Sequence, residues 1–413
     1  WRSVEPAIFG TLLEQALDKN ERKKLGAHYT PRAFVERLVV PTIIEPLRED
    51  WRNVLATVEM LKVEAREKQS EADALENEAA SLQKMSKAQK DKYKQVQNLR
   101  STAKERTNQA LKIVSDFHGK LCAVRILDPA CGTGNFLYVA MEMLKRLEGE
   151  VLEVLNDLGG QEALALENQT VDPHQFLGIE INTRGASIAE LVLWLGYLQW
   201  HYRNNSEHPG EPILRAFQNI ECRDALLTWD GYPLPNTNEN KPTYPNAKKA
   251  AWPDAEFIVG NPPFSGGKEI RKRFGDDYAE TLWEVYKDMN DSADFVMYWW
   301  DRAAELLLQK KANLRRFGFV TTNSITQVFQ RKTLERHMNA KNSVSLLMAI
   351  PDHPWTKATQ DSAAVRIAMT VATAGQHEGV LHNVISEKGL DTDDPEIELR
   401  DEIGFIHPNL TTG

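Results

Sequence analysis

Asn261-Pro262-Pro263-Phe264 is the stretch whose residue types are best suited to chemistry. Two consecutive prolines fix the backbone and remove two N–H donors, leaving the Asn261 amide oxygen and the Pro262 carbonyl as convergent acceptors beside an aromatic face. Such a cradle suits a planar amine. With both hydrogens of an exocyclic amino group held by the acceptors and the ring stacked on Phe264, the nitrogen lone pair leaves conjugation and can attack a methyl sulfonium in line. No covalent intermediate on the protein is needed.

A second set follows the apolar run Val124 to Leu127: Asp128, Pro129, Ala130, Cys131, Gly132, Thr133, Gly134, Asn135 and Phe136. A strand, a glycine-rich turn and a helix start bring backbone N–H groups against a ligand, because glycine bends this sharply without steric cost. No Lys-Ser/Thr follows the glycines, as a phosphate-binding P-loop requires, and Phe136 or its neighbours stand where a dinucleotide fingerprint has its third glycine. A phosphate ligand is therefore disfavoured. Asp128 instead suits a cationic ligand or its bound water. The next apolar run, Phe176 to Ile181, ends in Glu180, where a carboxylate accepts from two ribose hydroxyls. The third leads to Asp224-Ala225, with Asp224 placed to accept from an adenine amino group. One acid after a strand is an ordinary surface residue; three at successive strand ends point to an adenosine-like ligand.

Positioning these residues requires an α/β domain with a mostly parallel sheet, since short apolar runs alternate with helical stretches from residue 119 onward. Seven strands are expected, at 123–127, 176–181, 218–222, 256–260, 317–321, 344–350 and 365–372, with helices at 134–148, 183–203, 292–312 and 325–340. Trp299 and Trp300 read as core, and residues 230–254, rich in Pro and Asn, as a surface loop. Between Pro46 and Gly119 there is no Gly or Pro, so this interval is helical. Residues 51–83 carry four basic and seven acidic side chains, residues 84–112 nine basic and two acidic. Stripes at Ala72, Leu75, Ala79, Leu82 and at Tyr93, Val96, Leu99, Ala103 give coiled-coil seams. An antiparallel helical hairpin turning near Ser86 to Asp91 buries both; its basic arm could lie along DNA, dock a partner or act as a spacer.

The chain has 413 residues and a net charge of −9, of which residues 376–413 supply −7 through nine acids against Lys388 and Arg400. The remainder is nearly neutral, so local clusters matter more than the total. Lys268, Arg271, Lys272 and Arg273 form one candidate phosphate-contacting group, and Lys310, Lys311, Arg315 and Arg316 another; a solvated helix face explains either equally well. Three cysteines, Cys122, Cys131 and Cys222, give neither a disulfide framework nor a zinc-binding spacing. No metal is expected. No apolar stretch approaches the ~20 residues of a membrane helix, the start at Trp1 is neither a methionine nor a signal peptide, and a cytoplasmic piece of a longer chain is the expectation.

At these residues the chain resembles the class I S-adenosylmethionine-dependent amino-methyltransferases, specifically the gamma-type DNA adenine-N6 methylases. Asp128 to Phe136 looks like their cofactor motif, Glu180 with Ile181 their ribose acid, Asp224 with Ala225 their adenine contact, and Asn261 to Phe264 their catalytic motif. Leu25-Gly26-Ala27-His28-Tyr29-Thr30-Pro31 resembles the element that precedes the cofactor motif in the gamma order and holds the methionine end, which assigns Tyr29, Thr30 and Pro31 to the cofactor. The likeness extends over residues 4–373 and is strongest to the methylases of fused type II restriction-modification enzymes and of phage-defence systems such as DISARM. It implies a seven-stranded Rossmann-like fold, S-adenosylmethionine as cofactor, double-stranded DNA with a flipped-out base as substrate, and defence-system subunits as partners of the hairpin. The implied organisation is 1–50, helices with the Tyr-Thr-Pro motif; 51–118, hairpin insertion; 119–375, catalytic domain; 376–413, an acidic segment leading toward a target-recognition domain. Protein-glutamine or RNA amino-methylation and an inert DNA-binding scaffold are the alternatives, and cytosine-N4 transfer a minor one. Cytosine-C5 transfer is excluded, because no cysteine follows a proline.

Overall fold

The computed structural model describes residues 30–82, 86–159, 169–204, 219–231, 244–355, 366–389 and 396–413. Tyr29 lies outside them. The chain divides into two compact units, one made of residues up to 44, 124–142 and 172–413, the other of 45–123 and 143–171.

Among the described residues, the first unit is built on a nine-stranded sheet. Its strands are β1 (Ile126–Asp128), β2 (Phe176–Glu180), β3 (Ile220–Cys222), β6 (Phe257–Gly260), β7 (Arg316–Thr322), β8 (Val344–Pro354), β9 (Arg366–Ala374), β10 (Gly379–Lys388) and β11 (Glu396–Gly404). The short β4 (Leu227–Thr228) and β5 (Lys248–Lys249) form a separate antiparallel ribbon. The order across the sheet is β11-β10-β8-β9-β7-β6-β1-β2-β3. From β3 through β7 all pairings are parallel, whereas β9 runs antiparallel to both β7 and β8. The central strands β1 and β6 are buried along their whole length, which is why they read in sequence as continuous apolar runs rather than alternating ones. Their carboxyl ends, with that of β2, form the edge where a parallel sheet opens to a ligand.

Seven strands was an undercount. Residues 376–413 hold β10 and β11, which pair antiparallel with each other while β10 pairs parallel with β8. In β11 the sequence Glu396-Ile397-Glu398-Leu399 alternates with period two on a largely exposed strand, and the density of acids masked that alternation. Two short helices, Gly267–Phe274 and Asp276–Val285, also escaped expectation; Gly275, at φ 90°, separates them. Helix Val296–Leu307 lies nearly wholly buried and supplies much of an aromatic core with Phe295, Trp299, Trp300, Phe317 and Phe319. Within it the buried Asp301 is paired with Arg336 and with His337 at 2.7 Å, which a carboxylate inside this core requires.

The second unit contains helices Glu45–Ala80 and Lys87–Ala123. Ion pairs join Glu78 to Lys92, Glu76 to Arg100, and Glu64 to Arg106 at 2.9 Å. Residue numbers fall on one helix as they rise on the other, so the two run antiparallel. Ala72, Ala79, Val96 and Ala103 are buried, while Tyr93, expected on the seam, is exposed. The turn precedes the expected one: Ser86 accepts from the Gln89 N–H at 3.2 Å, a capping interaction that starts the second helix at Lys87. Opposite charge on the two arms is thus spent in part between them. Farther along, His118, Cys122 and Glu148 bring metal-capable atoms within 4.8 Å of one another. The Glu148 carboxylate there already accepts from Lys145 at Oε2, 2.8 Å, and from the Thr170 hydroxyl and the Val171 N–H at Oε1, each 2.8 Å, so its charge and its lone pairs are engaged within the protein. Among the described residues no helix is long and apolar enough to cross a membrane.

Candidate active site

At the carboxyl edge of β1, β2 and β6 lies a cavity of about 180 Å³, lined among others by Thr30, Asp128, Ala130 to Thr133, Asn135, Phe136, Glu180, Ile181, Asp224, Ala225, Asn261 and Pro263. The turn after β1 is shaped by its glycines, with Gly132 at φ 54° and Gly134 at φ 83°, a region that side chains with a Cβ rarely adopt. It is pinned to the end of β2: the Cys131 N–H donates to the Ile179 carbonyl at 3.1 Å and the Gly132 N–H to Glu180 Oε2 at 2.9 Å. Glu180 Oε1 accepts from the Asn182 N–H at 2.8 Å. β1 and β6 also approach closely at their ends, where a Cβ on Gly260 would overlap the Asp128 carboxylate.

Three acids surround this cavity, and burial raises the pKa of each. Asp128 is 1% exposed and is pushed up to about 8 by desolvation, with the Ala130 N–H at 3.0 Å opposing the shift and Glu180 adding to it. Burial likewise raises Glu180 and Asp224. Asp224 Oδ1 accepts from the Leu226 and Leu227 N–H groups at 2.7 and 3.0 Å, and Oδ2 from the Tyr278 hydroxyl at 2.8 Å. That carboxylate is held by its own loop and by helix Asp276–Val285. The Cys131 thiol is raised well above its ordinary value by burial, which leaves it a neutral wall residue rather than a nucleophile.

The sheet order brings β6 beside β1, and with it Asn261. The Asn261 Nδ2 donates to the Thr30 hydroxyl at 3.0 Å, while Oδ1 is buried without a hydrogen-bond partner. The neighbouring Pro262 is buried, and Phe264 packs against the core with its ring 6.2 Å from that of Trp355, edge to face. Pro31 precedes helix Arg32–Val39, its carbonyl accepting from the Phe34 and Val35 N–H groups. Ile181 stands 58% exposed at the cavity.

The basic group is dispersed. The Arg271 guanidinium bridges Asp276 and Glu280 and lies 4.6 Å from the Trp283 ring centre. Lys272 is exposed, Lys268 belongs to the same helix, and Arg273 lines the cavity with an ion pair to Glu269 at 3.5 Å. Sequence reasoning missed Asn182, Arg184, Arg223, Phe274, Tyr278 and Phe295, all in the lining. Trp299, expected as core, is 5% exposed yet lines the cavity too, its indole N–H donating to the Pro129 carbonyl at 3.0 Å. Helical aromatic residues of this kind carry no local signature that separates core from cavity wall.

The family model described as the MmeI DNA-methyltransferase domain matches residues 99–383. DNA methyltransferase A of Bacillus subtilis (strain 168) is 23% identical over 375 residues, 89% of this chain and 34% of that protein. A putative type II restriction enzyme and methyltransferase of Methanocaldococcus jannaschii is 23% identical over 236 residues, 55% of this chain and 17% of that protein. Among solved structures, the type IIL restriction-modification enzyme MmeI in complex with DNA is similar with a TM-score of 0.63 and 25% identity, covering 100% of this chain and 45% of that one. The chain spans less than half the length of each of these proteins. With the family model matching more than half of its residues, the chain belongs to the MmeI DNA-methyltransferase domain family.

Proposed function

We infer that the chain carries out S-adenosylmethionine-dependent methylation of adenine N6 in double-stranded DNA, as the modification part of a restriction-modification or related phage-defence enzyme. The observation that carries this reading is the Asn261 amide oxygen: an acceptor on a residue that lines the cavity, buried and left without a partner. An unpaired buried acceptor costs on the order of 1–3 kcal/mol, and one on a residue of a cavity wall is open to completion by a ligand.

The residues fit the cofactor. A cation and a pair of ribose hydroxyls both need acceptors, and the cavity offers Asp128, Glu180 and Asp224, each with burial raising its pKa. In this reading Glu180 serves the ribose, Asp224 with Ala225 and Ile181 the adenine ring, and Asp128, Asn135 and the turn from Ala130 to Phe136 the methionine end. The cofactor, when bound, supplies a methyl group on a positively charged sulfur.

The protein's own part is to hold the acceptor amine. Asn261 Oδ1 and the Pro262 carbonyl accept its two hydrogens, Phe264 stacks on the base, and the prolines keep these groups from relaxing away. An amine that took up this methyl group would have one proton to shed from the nitrogen held by Asn261 and Pro262. Two hydrogen-bond acceptors favour that loss. The similarity to MmeI, whose structure was solved in complex with DNA, supports DNA as the substrate class.

Incubation with S-adenosylmethionine and unmethylated DNA, followed by digestion and mass spectrometry of the nucleosides, tests the assignment. N6-methyladenine is the expected product; N4-methylcytosine in its place would move the substrate to cytosine.

A further inference from the structure

Two side-chain amides converge on one threonine. Asn261 Nδ2 donates to the Thr30 hydroxyl at 3.0 Å, and Asn135 Nδ2 donates to the Thr30 carbonyl at 2.8 Å. The oxygens of both amides are buried and have no hydrogen-bond partner. A primary amide is a donor at one end and an acceptor at the other, so whatever binds its nitrogen decides which end is left for a ligand. For an incoming amine the distinction is decisive, since an NH₂ end turned toward it would set donor against donor.

Thr30 is well placed to make that choice. It is 5% exposed, and it is followed by Pro31, whose carbonyl anchors the first turn of helix Arg32–Val39. Asn135, at the start of helix Asn135–Asp157, ties the Thr30 backbone to the glycine turn. The threonine thus joins two segments that the sequence separates by 231 residues in the case of Asn261.

We propose that Thr30 is a positioning residue for methyl transfer: its hydroxyl holds the Asn261 amide with the oxygen free for the substrate amine, and Asn135 fixes Thr30 in that role. This rests on the reading of Asn261 given above. It differs from a cofactor contact, the role that the Tyr-Thr-Pro motif implied, because the side-chain hydroxyl is bound to the asparagine.

Thr30→Val keeps the shape and removes the hydroxyl, and Thr30→Ser keeps the hydroxyl. Single-turnover transfer from S-adenosylmethionine to unmethylated plasmid DNA should fall roughly ten- to a hundred-fold in the valine variant, the effect of losing one well-placed hydrogen bond. The serine variant should stay within about three-fold of the parent, and both should hold S-adenosylmethionine within about three-fold of the parent affinity. Independently of activity, the Asn261 side-chain amide signal in asparagine-labelled protein, identified by its loss in Asn261→Ala, should shift and exchange faster with solvent in Thr30→Val alone. If the valine variant does not fold, Thr30→Ala replaces it. A valine variant with parental rate, a serine variant as impaired as the valine one, or a parallel loss of cofactor affinity overturns the proposal. Full transfer by Asn261→Ala would instead overturn the reading of the asparagine itself.

Discussion

Burial of Asp128 makes binding of a cationic cofactor depend on pH in a direction that can be worked out. The carboxyl is 1% exposed, is opposed by the neighbouring Glu180 and is compensated by one N–H, so its pKa stands near 8 against an ordinary 3.8. Below pH 8 it is mostly protonated. If the carboxylate is the form that receives the methionine end, binding must expel a proton, and affinity follows the ionised fraction: about 1% at pH 6 and half at pH 8, roughly a fifty-fold rise. Isothermal titration with S-adenosylmethionine at pH 6, 7 and 8, in buffers of different ionisation enthalpy, should show this rise together with release of about one proton at pH 6. Asp128→Asn should bind weakly and without that slope. Stability carries the same linkage with opposite sense. A raised acid pKa means the folded state holds its proton more tightly, so the contribution of Asp128 is fully present below pH ~4 and is lost as pH rises to ~8, on the order of several kcal/mol in all. Urea unfolding should therefore show Asp128→Asn gaining on the parent across that window. Equal affinity at pH 6 and 8, or an unchanged slope in Asp128→Asn, would refute the assignment.

Other consequences are simpler to state. Phe264→Ala should abolish the fluorescence change of an adenine analogue placed at the target site, because stacking on the displaced base is lost; a preserved change would remove that role. In the hairpin, Lys92, Arg100 and Arg106 are engaged with Glu78, Glu76 and Glu64. Charge reversal at Arg100 and Arg106 together should leave the salt dependence of DNA binding nearly unchanged, as expected of residues that pair within the protein; a slope reduced by about two would place both on phosphates.

How much of this was legible in the sequence depends on how local the signal is. Asp128, the glycines after it and Asn261 announce themselves because each follows a continuous apolar run and sits among Gly or Pro, residues whose backbone limits are written in the sequence. Glu180 was found the same way, by its place at the end of β2. Tyr278 and Trp299 were not found, because a side chain reaching a cavity from a helix 54 to 170 residues away has the same local pattern as one filling a core. The contact of Thr30 with Asn261 is of that kind as well. β11 was hidden by charge, and the hairpin turn was placed too late although Ser86-Lys87-Ala88-Gln89 has the spacing of a helix cap, with Ser86 accepting from the Gln89 N–H. Arg271 read as a phosphate contact since its acidic partners, Asp276 and Glu280, lie in the following helix.

The measurement closest to the central claim compares Asn261→Ala with the parent protein under single-turnover conditions, with S-adenosylmethionine affinity measured in parallel. Removing the unpartnered acceptor should lower transfer of the methyl group to adenine by about a hundred-fold or more while cofactor affinity stays within about three-fold, since Asn261 is assigned to the amine and not to the cofactor. Transfer at the parental rate, or a loss of rate that merely tracks a loss of cofactor binding, would contradict the account.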